Sequence, residues 1–371
     1  MIHLFYLRAL LFVATAFVSN SVWAVDTIVV GQSAPLTGDN AAFGTDIRDG
    51  AAAFFKSVND AGGIGGKRIE LITLDDGNDR KRATENAGKL LTTHNASVLF
   101  GFASATLSLD ALPLAEKVKV PVFGVFTGAP IVFTSPVSFT IRPTYEQEMD
   151  KLLAFWQSNG IQRVTVLHYD DEVGLQNLKS VKDRLATYTK QPITSMSIKR
   201  NAPLSTDVLE AIIKSDPELL MSTVASAHAA KVVLDLRKAG KFYYVSSTSF
   251  VGASQFAKLV GTQGVGVSVT QVVPSPTSLT IPVVVECRRV MSAVQVQINY
   301  TNLESCIGAK ILVEALRRTG RDTTRSALLN TIQTLGTYDA GGFNVTFSRS
   351  SRQGSRWVDL TVINKQGTYG S

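Results

Sequence analysis

The hydrophobic pattern opens with a short apolar run, Ile28, Val29 and Val30, which gives way to a Gly- and Pro-punctuated loop, GQSAPLTGDNAAFG, over residues 31–44. Apolar positions then recur at helical spacing: Ile47, Ala51, Phe54, Phe55 and Val58. The helix ends at AGGIGGK (residues 61–67), and a second strand, RIELITLDD, follows. Strand, loop, helix and strand form a βαβ unit, whose ligands bind at the carboxyl ends of its strands. The first loop is therefore expected to wall a binding cleft.

The alternation continues with a helix over 80–94, a strand at 98–101, a helix over 107–118 and a strand at 122–125. These strands read as continuous apolar runs, the mark of a parallel sheet covered on both faces. Residues 137–143 (VSFTIRP) form an extended crossover, because Pro143 keeps Arg142 out of helix. A second series follows, with helices at 145–159, 173–187, 208–215 and 227–239, and strands at 164–168, 193–198, 219–223, 244–246 and 265–270. Next come a Pro/Ser-rich connector (271–280) and helices over 283–296, 303–318 and 324–335. The tail, 343–362, reads as two strands around the polar turn SRSSRQGS. The α/β layout recurs on a scale of roughly 120 residues, which predicts two similar lobes. At 371 residues the chain is long enough for two such units.

The first 24 residues have the form of a signal peptide: Arg8, an apolar run over 9–18, and small residues around Val22-Trp23-Ala24. The run is too short to span a bilayer, so an exported chain beginning near Val25 is expected. The net charge of +7, less that of Arg8, leaves +6, on basic residues that are scattered rather than laid in a stripe. Nucleic-acid binding is unsupported. Cys287 and Cys306 are the chain's two cysteines. Both sit near the starts of successive predicted helices, which argues against a disulfide, although an exported protein could form one. His94, His168 and His228 have no metal-ligand spacing, so no metal is expected.

AGGIGGK is no Walker loop: Ala61 stands where the first Gly belongs, and Arg68 follows Lys67. Its glycines follow a helix, the wrong order for a dinucleotide fingerprint, and fit a helix C-cap with a tight turn. No G-x-S-x-G elbow occurs. The acidic groups Asp75-Asp76 and Asp170-Asp171-Glu172 sit at strand ends, where capping suits them better than acid/base chemistry. Other strand-end loops carry small hydroxyl residues and bare backbone: Phe102-Ala103-Ser104-Ala105-Thr106 and Phe126-Thr127-Gly128-Ala129. Such groups suit a carboxylate, while Ser104 and Thr106 equally suit capping the next helix.

The succession GQSAPLTGDNAAFG, helix, NDAGGIGGKRIEL and LDDG resembles the type I periplasmic solute-binding proteins of branched-chain amino acid (Leu/Ile/Val) ABC importers. The likeness runs on through LFG at 99–101, KVPVFG at 119–124, FTGA at 126–129, VGVSVTQVVP at 265–274 and Leu303-Glu304, covering essentially the whole exported chain. Order and spacing carry it, rather than any single motif. The resemblance implies an α/β fold of two Rossmann-like lobes joined by three hinge crossings and closing like a Venus flytrap. Lobe 1 would take residues 25–142 and 274–347, and lobe 2 residues 143–273 and 348–371.

Thr127 matches the family's ligand-carboxylate threonine. The family's other hydroxyl falls at or beside Ala105, so Ser104 or Thr106 would substitute. Phe43 matches an aromatic of the first loop, and Ala103 and Phe126 flank the hydroxyl positions. In lobe 2, Val173 and Ala225 stand where the family has aromatics, and Ser249 where it has the carboxylate that receives an ammonium. A buried ammonium without a counter-charge is costly, so an acid without an amino group is expected, aromatic or branched. The implied function is capture of a small carboxylate-bearing solute for a membrane permease, by a periplasmic monomer without cofactor or catalysis. A sensing subunit of a receptor with the same fold is the alternative. An exported α/β enzyme would need a nucleophile and base that no motif supplies.

Overall fold

The computed structural model describes residues 27–369, apart from 188, 190 and 323. The expected leader lies outside the described residues. The first lobe follows from its apolar periodicity: β1 (Thr27–Ala34), α1 (Ala41–Asp60), β2 (Arg68–Asp75), α2 (Arg80–Thr92), β3 (Val98–Phe100), α3 (Ala105–Ser108), α4 (Leu112–Lys117), β4 (Val122–Phe123) and β5 (Ser138–Phe139). The strands pair in parallel, in the order β2-β1-β3-β4-β5, with β1 and β2 in register from Thr27 opposite Arg68 to Ala34 opposite Asp75. The helix expected over 107–118 is two helices, because Pro113 opens α4 within its first turn and resets the backbone there.

The second lobe contains α5 (Tyr145–Ser158), β6 (Val164–Tyr169), α6 (Glu172–Leu185), β7 (Thr194–Ile198), α7 (Thr206–Ser215), β8 (Leu219–Ser222), α8 (Ser226–Lys238), β9 (Tyr244–Ser247), α9 (Ala253–Val260) and β10 (Ser268–Gln271). The chain then returns to the first lobe as α10 (Pro282–Ser292), α11 (Tyr300–Thr319), α12 (Arg325–Gln333), β11 (Gly336–Asp339) and β12 (Asn344–Phe347), and ends on the second as β13 (Asp359–Val362). The second sheet runs β13-β10-β9-β8-β6-β7, parallel except for β13. The chain thus passes between the sheets three times: after β5, after β10 and after β12. The two tail strands do not pair with each other. β12 forms a hairpin with β11, a strand the sequence did not announce, and β13 pairs with β10.

The α1 helix buries Phe43, Ile47, Ala51, Phe54, Phe55 and Val58 and packs on α11. The contact is close: a Cβ on Gly50 would stand 2.1 Å from the Asn302 carbonyl oxygen, and the Ser305 hydroxyl donates to the Ile47 carbonyl. AGGIGGK is a helix terminator, its Gly63 N–H returning to the Val58 carbonyl at 2.9 Å.

Cys287 and Cys306 form a disulfide, with Cα atoms 6.0 Å apart, against the sequence expectation. The expected helix 283–296 ends at Ser292, so Cys287 lies mid-helix, five residues before that end. Cys306 lies six residues after the start of α11 at Tyr300. Measured from the connecting loop the two positions are level, and the antiparallel helices bring them side by side. Cross-linking across a separation of 19 residues predicts a stabilisation of about 3 kcal/mol, chiefly by restricting the unfolded chain. Urea unfolding with and without reductant should differ by that amount, and coincident curves would exclude the bond from the stability of the fold.

Candidate functional site

The carboxyl ends of both parallel sheets face one cleft. From lobe 1 come the loops after β1, β2, β3 and β4; from lobe 2 come those after β6, β7, β8 and β9. Two small cavities, of about 20 and 10 Å³ and so each no larger than a water molecule, lie between them. One is bordered by Phe43, Asn78, Ala103, Ser104, Ala225 and Phe250. The other is bordered by Ala105, Thr106, Thr127, Tyr145, Tyr169 and Val173. Ser104, Arg200 and Phe250 border both. A wider mouth, reaching Asp39, Asn78 and Lys231, opens outward past Arg200 and Ala225.

The two lobe 1 hydroxyls left open by the sequence differ in what they do. Ser104 caps α3, accepting from the Leu107 N–H at 3.3 Å, and still borders the cleft. The Thr106 hydroxyl is buried at the cavity without any hydrogen-bond partner among the described residues. Thr127 donates to the Tyr145 hydroxyl at 3.2 Å and accepts from the Ala129 N–H at 3.1 Å, leaving the phenol hydrogen to serve a cavity acceptor. Burial pushes the Tyr145 phenol up to about 12, so it stays protonated. Phe43 meets Phe126 edge-on at 6.0 Å. Phe126 itself lies beneath the cleft, in a cluster with Ile47, Ala103 and Leu107.

Ser249 is set apart from the two cavities. Its hydroxyl accepts from Arg142 at 3.1 Å and donates to Glu148 at 3.0 Å, while the next residue, Phe250, enters the cleft. Arg142 stands on the first crossing and forms a bidentate pair with Glu304 of α11, at 2.5 and 2.8 Å; its guanidinium lies 5.0 Å over the Phe126 ring. Glu148 also accepts from the Ser249 N–H and the Thr270 hydroxyl. Burial pushes the carboxyls of Glu148 and Glu304 upward, and Arg142 opposes this.

The sequence reading missed Tyr145, Tyr169, Asn177, Arg200, Thr223 and Phe250. Tyr169, Arg200 and Thr223 stand at or just beyond strand ends, the signal that found Thr127. Phe250 lies one residue from the position named. Tyr169 accepts from the Ala225 N–H at 3.1 Å. His228 Nε2 donates to the Ala202 carbonyl at 2.8 Å, so its Nδ1 accepts from the Tyr169 phenol at 3.2 Å. The acidic groups are structural. Asp171 caps α6 through the Gly174 N–H at 2.8 Å, Asp75 accepts from Leu36, Thr37 and Gly77, and Asp76 accepts from Ser33 and Asn78.

The architecture is a two-lobed α/β fold whose strand ends converge on one cleft. A family profile described as periplasmic binding protein matches residues 27–368, and the chain belongs to that family, whose location is the periplasm. Over 70 residues it is 44% identical to the Leu/Ile/Val-binding protein homolog 1 of Brucella suis biovar 1, a stretch covering 19% of this chain and 18% of that protein. A crystal structure of a possible leucine/isoleucine/valine-binding protein from Rhodopirellula baltica superposes with a TM-score of 0.89 at 23% identity, covering 93% of this chain and 96% of that one. A substrate-binding periplasmic protein from Ralstonia solanacearum gives 0.87 at 29% identity, covering 92% and 99%. The type I two-lobe fold is thus shared along the length of the chain. Among the described residues, no helix is long and apolar enough to cross a membrane, and no group of three or more His, Cys, Asp or Glu could hold a metal ion.

Two predictions follow from charge burial. Glu304→Gln leaves Arg142 buried with its bidentate partner gone, and should cost about 3 kcal/mol in urea unfolding. A cost for Glu304→Gln below about 1 kcal/mol would remove this pair from the stability account. The second concerns Asp76, whose carboxyl burial pushes up to about 6 against hydrogen bonds from Asn78 and Ser33. The folded carboxyl holds its proton more tightly than the unfolded one, so its contribution is fully present below pH 3.8 and lost as pH rises through about 6. Relative to wild type, Asp76→Asn should flatten this part of the stability curve by about 3 kcal/mol, and parallel curves would refute the assignment.

Proposed function

We propose that this chain is an exported solute-binding protein that encloses a small organic acid between its lobes and delivers it to the membrane permease of an ABC importer. In this reading the lobes part at 142/143, 273/274 and 347/348, and a signal peptide directs export. The ligand carboxylate meets the hydroxyls of Thr106 and Tyr145, with Thr127 orienting the Tyr145 phenol and Ser104 at the edge. Phe43, Phe250, Val173 and Ala225 shape the apolar wall. Binding to one lobe precedes closure, and contacts with the second lobe populate the closed state.

One observation carries the reading: neither cavity is bordered by an acidic side chain, while hydroxyls from both lobes border them. A carboxylate finds donors there. An ammonium finds no counter-charge, and burying it unpaired is unfavourable. The same inventory argues against catalysis, since Asp75, Asp76, Asp171, Tyr169 and His228 are each engaged in structural bonds and the protonated Tyr145 is no base at neutral pH.

Calorimetry with leucine and its des-amino counterpart 4-methylpentanoate, and with phenylalanine and 3-phenylpropanoate, tests this. Each acid should bind at least about tenfold tighter than its amino acid. Tighter binding of either amino acid, or turnover of a bound acid, would overturn the proposal.

A further inference from the structure

The charged side chain bordering both enclosed cavities and the mouth is Arg200, two residues beyond the end of β7. It is anchored rather than free. Nε lies 2.7 Å and Nη2 2.6 Å from a single oxygen of Asp171, and the guanidinium carbon lies over the Tyr169 ring, 4.0 Å from its centroid. Tyr169 is held in turn by Ala225 and His228, and Asp171 by the Gly174 N–H. The guanidinium is thus fixed from below and from one edge. Nη1 has no acceptor among the described residues, and the side chain borders the cavity. A purely structural ion pair would not need a cation bordering every compartment of the cleft.

The same cavity is bordered by the partnerless Thr106 hydroxyl of lobe 1, by the polar groups of Asn177 and Thr223, and by Val173 and Phe250. Its lining thus combines an unspent hydroxyl from lobe 1 and a guanidinium from lobe 2 with apolar side chains. We propose that Arg200 selects ligands by their far end: the cleft takes an acid bearing a second anionic group, a dicarboxylate, in preference to the matching monocarboxylate. The proposal rests on the organic-acid reading of the cleft. In it, the first carboxylate binds the lobe 1 hydroxyls and the second binds Nη1 of Arg200. Asp171 and Tyr169 keep the guanidinium oriented, so little freedom is lost when the acceptor arrives.

The test is calorimetry with two matched sets of probes: benzoate, terephthalate and 4-(aminomethyl)benzoate, and hexanoate, adipate and 6-aminohexanoate. In at least one set the diacid should bind about 30-fold tighter than the monoacid, as a charge-assisted hydrogen bond to a guanidinium warrants, and the ammonium-bearing acid should bind most weakly. Arg200→Met should bring the diacid-to-monoacid ratio within about threefold, and Arg200→Lys should restore part of it. Asp171→Asn keeps an oxygen to cap α6 but removes the charge competing for Arg200, and should raise the diacid preference; this variant decides the matter if Arg200→Met does not fold. Equal binding of diacid and monoacid by the wild-type protein, or a ratio unmoved by both variants, would overturn the role of Arg200 while leaving the acid-binding reading in place. Failure of all six probes to bind would overturn that reading as well.

Discussion

The buried guanidinium of Arg142 is the constraint on which the two-lobe arrangement turns. It sits on the first strand of chain to leave lobe 1, is clamped by Glu304 from the helix that packs against α1, and reaches Ser249 and through it Glu148 in lobe 2. A cation so deep is tolerable only when paired, and its partners come from three separated parts of the sequence. Satisfying it therefore fixes the crossing, α11 and the loop after β9 against one another. The consequences reach the cleft directly. Phe126 lies under the guanidinium and against Phe43, and anchoring Ser249 backward turns the adjacent Phe250 forward into the ligand space.

From this frame the division of labour between the lobes follows. Lobe 1 presents Ser104, Thr106 and Thr127 from the loops after β3 and β4. Lobe 2 adds larger groups, Tyr169 at the end of β6, Arg200 after β7 and Phe250 after β9, beside the hydroxyls of Thr223 and Ser226. Gly252, in left-handed backbone at φ 68°, lets the loop after β9 approach the Phe43 ring so closely that a Cβ there would stand 3.0 Å away. There the lobes meet at an aromatic face with a bare peptide against it.

The parallel sheets were legible because burial on both faces writes strands as unbroken apolar runs and helices as periodic stripes, and both survive without tertiary information. The strand-end rule reached Thr127, and it located the Ser104 and Thr106 loop without telling which hydroxyl caps and which is unspent. That distinction depends on where α3 begins. Arg200 was illegible for a different reason: in KRN it reads as an ordinary solvated cation, and only the spatial neighbours Tyr169 and Asp171 fix it over the cleft. The cysteines were misjudged by two helix boundaries. Four residues of predicted helix beyond Ser292 are loop and the next helix begins three residues early, at Tyr300, and together these shifts set Cys287 level with Cys306. The pairing of the tail strands with different partners depends on sheet edges that periodicity does not encode.

The charges of this molecule are used in two distinct ways. Arg142 is surrounded by acceptors and spends its guanidinium wholly on the frame, which is why a nearby serine rather than an acid suffices at position 249: a further carboxylate beside Glu148 and Glu304 would add like charge to a buried site already holding two. Arg200 is held by one carboxylate oxygen and one ring face, and this leaves part of its donor capacity turned to the cleft. Selectivity in such a cleft comes less from the number of polar groups than from which of them the fold has already satisfied, because only the unsatisfied ones distinguish one solute from another.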